Sequence, residues 1–177
     1  MKIKQGTAEI AKVNSLLLGA ESFHSHLGPF LVLGLKAGLV SLMELDSRKG
    51  DPQLRAEVEL PYRVPISCFL DGVQYSTGCT VGNKRLSFKD STDIAMTFAR
   101  GAKSIELTLS EASIGLLGRL LVGEHLNEKQ LSHLAHSVTI MNEKEIFNVK
   151  KRIVVESSER KRTRFSARFM LDFEKND

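Results

Sequence analysis

Two short segments hold the residue types that can do chemistry. The first, Phe23-His24-Ser25-His26-Leu27-Gly28-Pro29, sets two imidazoles two residues apart. In an extended turn alternate side chains point the same way, so the pair can converge on one cation. Histidines at a helix end also hydrogen-bond backbone groups, and a helix start can hold an anion on its free N–H groups, so spacing alone leaves three readings open. The second segment carries Cys68, Asp71, Gln74 and Tyr75, then Thr77-Gly78-Cys79-Thr80. Cys79 stands among small residues in a turn, where nearby N–H groups can lower a thiol pKa; thiolate is the form that binds metal or attacks an electrophile. Cys68 shares a helix side with Asp71 and reads equally as core or functional. Asp71 and Gln74 can supply oxygen ligands or orient a histidine from behind. The two cysteines match no zinc-finger spacing. His133 and His136 fall opposite the apolar stripe of their helix and read as surface, and His125 lies in a turn with no partner evident in sequence.

The elements that must position these residues follow from periodicity. Ile10, Val13, Leu16, Leu17 and Ala20 predict a helix over 7–20, which delivers the chain to the histidines in a turn between helices. Pro29 suits the first turn of the next helix, apolar on nearly every face up to Leu45. Gly34 and Gly38 give that helix a smooth strip for another backbone. Alternation predicts a strand over 53–60, stopped by Pro61 and Pro65. A short helix over Ser67 to Ser76 should put Cys68, Asp71 and Tyr75 on one face, with Gly78 ending it in a left-handed conformation that aims Cys79 outward. Strands are expected at 85–89, 94–100 and 104–109, and helices over 111–122 and from Asn127, where Gln130 completes a capping box. Alternation after Lys150 predicts a closing strand pair.

Composition bounds the function. At 177 residues and 42% hydrophobic, the chain can build a core without a metal, so a metal site here would be functional rather than structural. Trp is absent and aromatics are 6%, leaving little surface for base stacking and disfavouring nucleic acid as a partner. The formal charge of +4 is concentrated between Lys150 and Arg168, which reads first as the solvated face of a hairpin and second as a contact for an acidic partner. Met1-Lys2-Ile3-Lys4 lacks the apolar run of a secretory signal, so a reducing, cytoplasmic setting is expected. The apolar run Leu27 to Met43 is short for a bilayer and carries Lys36, so a buried helix at a subunit contact is the expectation, and no membrane association.

Together, the block from Phe23 through Gly34 and the block from Cys68 through Asn83 resemble the FmdE family of formylmethanofuran dehydrogenase proteins over about residues 15 to 145. In the second block Cys, Asp, Gln, Gly-Cys-Thr and a following Gly stand at fixed offsets, and Leu86 to Lys89-Asp90 resembles the strand that follows. The resemblance implies an α+β core with a mostly antiparallel sheet, often dimeric, whose His and Cys residues line a metal-binding pocket. It divides the chain into a core over 1–148 and a C-terminal strand extension over 149–177. Many members carry Cys where this chain has Gly28, many end in a cysteine-rich zinc-finger module that 146–177 lacks, and the Tyr-Gly-Lys that often follows Lys-Asp is here Ser91-Thr92-Asp93; Lys84 and Lys89 are the candidates to substitute for that lysine.

The reading that follows is a metal-binding accessory protein related to the FmdE component of molybdenum or tungsten formylmethanofuran dehydrogenase, in one-carbon metabolism and methanogenesis. Its expected ligands are His24, His26 and Cys79, surrounded by Cys68, Asp71, Gln74, Tyr75, Thr80, Lys89 and Asp90. The expected cofactor is a divalent zinc, nickel or iron ion with no organic cofactor, and the expected partners are a second copy of the chain and the other components of an oxidoreductase. A stand-alone enzyme using Cys79 or a metal-bound water is the second reading. A structural or interaction protein without chemistry is the third.

Overall fold

The structure, a computed structural model, describes residues 15–153. Its elements are α1 (residues 15–24), α2 (Pro29–Glu44), β1 (Leu54–Leu60), α3 (Cys68–Thr77), β2 (Leu86–Asp90), β3 (Ala95–Arg100), β4 (Lys103–Leu109), α4 (Glu111–Leu121), α5 (Glu128–Ile140), α6 (Glu143–Ile146) and β5 (Phe147–Ile153). The strands form one sheet in the order β2-β1-β3-β4-β5. Only the β1–β2 pair is parallel, so this is the expected α+β fold on a mostly antiparallel sheet. The parallel pair arises because α3 carries the chain from the end of β1 back to the start of β2, a crossover that no alternation in sequence reveals.

Alternation places Leu54, Ala56, Val58 and Leu60 of β1, Met96 and Phe98 of β3, and Ile105, Leu107 and Leu109 of β4 in the core, as a strand period of two requires. Against them runs α2, buried at every residue from Pro29 to Leu42. Phe30, Leu33, Ala37 and Val40 join the main core, while Leu31, Leu35 and Leu39 pack on Ala20 with Leu16 and Leu17 of α1. Burying each of these leucines contributes about 1.5–3 kcal/mol.

The smooth strip on α2 is used within the chain. A methyl group at Gly34 would lie 2.0 Å from the Phe69 carbonyl oxygen, one at Gly72 2.2 Å from the Leu31 carbonyl oxygen, and one at Gly38 1.9 Å from Ser76 Oγ. Glycine therefore lets α2 and α3 meet backbone to backbone, the close approach that the strip was expected to allow. Lys36 is equally internal: it is 1% exposed and its ammonium donates to the Met141 carbonyl at the C-terminal end of α5. A cation there satisfies an orphan carbonyl and favours the helix dipole, which accounts for one charge in an apolar helix. Among the described residues no helix is long and apolar enough to cross a membrane.

The capping box of Asn127 with Gln130 starts α5 as predicted. Of the closing strand pair, β5 forms and pairs antiparallel with β4, while the stretch around Arg164 lies outside the described residues.

Candidate metal centre

Two helix ends meet at the candidate site. The histidines were expected in an extended turn, but α1 runs on to residue 24, so His24 closes its last turn. Ser25 then adopts φ 75°, a left-handed conformation, and its N–H donates to the Glu21 carbonyl. That sharp reversal, rather than strand-like alternation, brings His26 back over His24, with ring centroids 4.5 Å apart. From the other side comes the first turn of α3, with Cys68 and Asp71 on the face that the helical period predicted.

His24 Nδ1 lies 2.6 Å from Asp71 Oδ2. An ionised carboxylate only accepts, so the imidazole donates from Nδ1; in the neutral ring, the form that ligates a metal, Nε2 then carries the lone pair. Among the described residues, His24 Nε2 is the only buried side-chain nitrogen or oxygen without a partner. His24 Nε2 or Nδ1, a His26 ring nitrogen and Cys68 Sγ each offer one donor, and the three donors lie within 4.8 Å of one another. Metal–nitrogen bonds of about 2.0 Å and metal–sulfur bonds of about 2.3 Å put neighbouring donors of a tetrahedral site roughly 3.5 Å apart, so a small inward movement closes the set on one cation. His26, exposed to solvent, has the room to make it. The residues fit a metal: a buried lone pair with no partner, a second imidazole, a thiol, and a carboxylate that fixes the first imidazole from behind.

The structure thus gathers His24, His26 and Cys68 rather than His24, His26 and Cys79. Gly78 ends α3 at φ 73° as predicted, but the turn sends Cys79 inward, where it is fully buried and its thiol donates to the Leu54 carbonyl at 3.4 Å. Burial pushes the Cys79 thiol up from its ordinary value, opposed only in part by Thr77 and nearby arginines. What separates it from Cys68 is place: its thiol is turned onto the Leu54 carbonyl and is not among the donors gathered with the histidines. Cys68, 6% exposed, is also raised, by burial and by the Asp71 charge, so without a metal it too stays protonated. Its place was half visible in sequence, since it stands three residues before Asp71 on a helix; which cysteine met the histidines depended on where α1 ends.

The remaining candidates surround or avoid the site. Gln74 Nε2 donates to Asp71 Oδ1 at 2.9 Å. Tyr75 packs near Phe23, ring centroids 6.1 Å apart, with the Lys49 ammonium 4.1 Å over its ring. Thr80 ties the following turn, its Oγ1 accepting from Asn83 N–H at 3.0 Å. Lys89 and Asp90 sit on the edge strand β2, where Asp90 accepts from the Tyr62 N–H at 2.9 Å, and Asp90 is not one of the gathered donors. Gly28, with φ −129°, has an ordinary extended backbone. A methyl group built there would sit 3.6 Å from His26 Nε2, meeting only that ring.

A profile of the family described as "FmdE, Molybdenum formylmethanofuran dehydrogenase operon" matches residues 23–148, a stretch that contains both helix ends of the site. The chain belongs to this family. A protein of Archaeoglobus fulgidus named a probable S-adenosyl-L-methionine-binding protein is 27% identical over 136 residues, which is 71% of this chain and 37% of that protein. This chain therefore spans little more than a third of that curated relative. The fold is similar to the crystal structure of a tungsten formylmethanofuran dehydrogenase FmdE-like protein from Syntrophus aciditrophicus, with TM-score 0.55 and 15% identity, covering 86% of this chain and 78% of that one.

Proposed function

We propose that this FmdE-family protein binds one divalent transition metal through His24 Nε2, His26 and Cys68 Sγ, and that it serves an oxidoreductase related to formylmethanofuran dehydrogenase in one-carbon metabolism. The single observation that carries the metal is the buried, unpartnered Nε2 of His24, whose other nitrogen is committed to Asp71. Two imidazoles and one thiol suit an ion of borderline softness, zinc foremost, with nickel and iron next. Three protein donors leave a fourth position free, the pattern of sites that exchange ligands rather than of structural zinc. A metal bound there would supply Lewis acidity to a ligand taken from solution. The chain's own part is to hold the donors: Asp71 orients His24, α3 presents Cys68, and the Ser25 reversal delivers His26. Free thiols at Cys68 and Cys79 suit a reducing, cytoplasmic setting. The link to formylmethanofuran dehydrogenase rests on family membership, which does not by itself carry a shared reaction. S-adenosylmethionine stays with the Archaeoglobus protein, most of whose length has no counterpart in this match.

Elemental analysis of untagged protein purified without chelator, then offered zinc, nickel and iron in turn, tests the reading. Near one metal per chain in the wild type, lost in His24→Ala and in Cys68→Ser, is the expected result. Wild-type protein that takes up none of the three metals would end it.

A further inference from the structure

We infer that Gln74 is a positioning residue for this metal centre, acting through Asp71, and that the turn from Gly78 to Arg85 serves to hold Gln74 in place. The inference rests on the metal reading above and extends it outward by two residues.

Asp71 has two carboxylate oxygens and both are committed. Oδ2 accepts from His24 Nδ1 at 2.6 Å and Oδ1 accepts from Gln74 Nε2 at 2.9 Å. Asp71 is half-buried, and with only the His24 contact its carboxylate could turn about its side-chain bonds and leave Nδ1. A second bond to the other oxygen removes that freedom. The Gln74 amide is itself oriented by its far end, because Oε1 accepts from the Val81 N–H at 3.4 Å. Reversing the amide would set oxygen against carboxylate and NH₂ against N–H, so its neighbours admit one orientation.

The outer end of this relay explains the residues from Gly78 onward. Asn83 Oδ1 accepts from the Thr80 and Arg85 N–H groups, at 3.0 and 3.1 Å, and Asn83 Nδ2 donates to the Gly78 carbonyl at 2.8 Å. Arg85 donates to the same carbonyl at 2.9 Å. Lys84 turns the chain at φ 56°. These bonds fix the turn that aims the Val81 N–H at Gln74, although none of its side chains reaches the histidines. The order is Asn83, the Val81 N–H, Gln74, Asp71, His24 Nδ1, with the bare Nε2 at the inner end.

The test uses Gln74→Leu, which keeps bulk but removes both bonds, and Asn83→Ala, which touches neither Asp71 nor His24. Long-range proton–nitrogen NMR of the metal-free proteins reads the His24 tautomer. Cobalt(II) titration reads affinity and the thiolate-to-cobalt absorption band, and circular dichroism checks folding. Wild type should carry its His24 proton on Nδ1 alone. Gln74→Leu should mix the tautomers, weaken cobalt binding about 10-fold and shift the band, and Asn83→Ala should move all three the same way by a smaller amount. If Gln74→Leu does not fold, Asn83→Ala decides. Wild-type tautomer, affinity and band in both folded variants would overturn the inference while leaving the metal centre intact. Wild-type protein that binds no cobalt would remove the centre and the relay together.

Discussion

At the start of α3, Cys68 and Asp71 face two histidines and leave an imidazole nitrogen with no partner. At its end, the equally polar neighbourhood of Cys79 is closed. Asp51 accepts from the Gln53 N–H at 2.8 Å, from Arg100 Nε at 2.8 Å and from Ser47 at 3.0 Å. Arg85 donates to the Asp51 and Gly78 carbonyls, the Cys79 N–H donates to Thr77 Oγ1 at 3.0 Å, and its thiol to Leu54. The two ends use the same chemistry, a cysteine beside an aspartate, to opposite effect. One satisfies itself and anchors the turn, while the other leaves a buried imidazole nitrogen without a partner. Residue type does not separate a ligand from an anchor; the partners already bonded to it do.

Exchange of each thiol for a hydroxyl breaks the comparison most sharply. Cys68→Ser should lower zinc affinity by more than about 100-fold, since a hydroxyl is a far poorer zinc ligand than thiolate, and, as Cys68 is also buried, should cost the metal-free protein about 1–3 kcal/mol. Cys79→Ser should bind zinc as wild type does but lose about 1–3 kcal/mol, because a buried hydroxyl replaces a buried thiol. Competition with a chromophoric chelator and thermal melts read the two quantities. The reverse pattern of zinc affinity would make Cys79 the ligand and Cys68 the anchor.

A gain of function tests the open end from the other side. At Gly28 a side chain meets only the His26 ring and the backbone is unstrained. Gly28→Cys should therefore supply a second thiolate and tighten zinc by about 10-fold or more. Absorption of the cobalt form, titrated against wild type, would report the added thiolate. Unchanged affinity and spectrum would place the free coordination position elsewhere.

The smallest expected effect belongs to the closed end and concerns pH. The Gln53 N–H, with Arg100 beside it, holds the Asp51 carboxyl at about 2, below its ordinary 3.8. A carboxyl depressed on folding contributes stability that is fully present above its ordinary value and is lost as pH falls toward the folded one. Chemical denaturation followed between pH 5 and pH 2 should show wild type losing stability across that window. Asp51→Asn should start lower and change less over the same range. Metal affinity at neutral pH should move less than in Asn83→Ala, because the Asp51 side chain bonds to Ser47, Gln53 and Arg100 and not to the turn that holds Gln74.

Much of this molecule was legible before folding. Strand alternation placed Leu54 to Leu60 and Ile105 to Leu109 with one face inward, Pro29 opened α2, Gly78 closed α3 left-handed, and Asn127 with Gln130 capped α5. These are local rules, decided by sterics and hydrogen bonds within a few residues. The shared face of Cys68, Asp71 and Tyr75 belongs with them, because a helical period is enough to set it. Tertiary structure alone decided the rest. Only packing shows that α3 takes the glycine strip of α2, since an apolar face says that it will be covered and not by what. The same holds for the cysteines. Their surroundings in sequence favoured Cys79, but the left-handed Gly78 turns it under β1 while the reversal at Ser25 folds His26 toward Cys68. The candidate donors converge through contacts between α1 and α3, more than forty residues apart in the chain, and no local preference encodes a meeting at that distance.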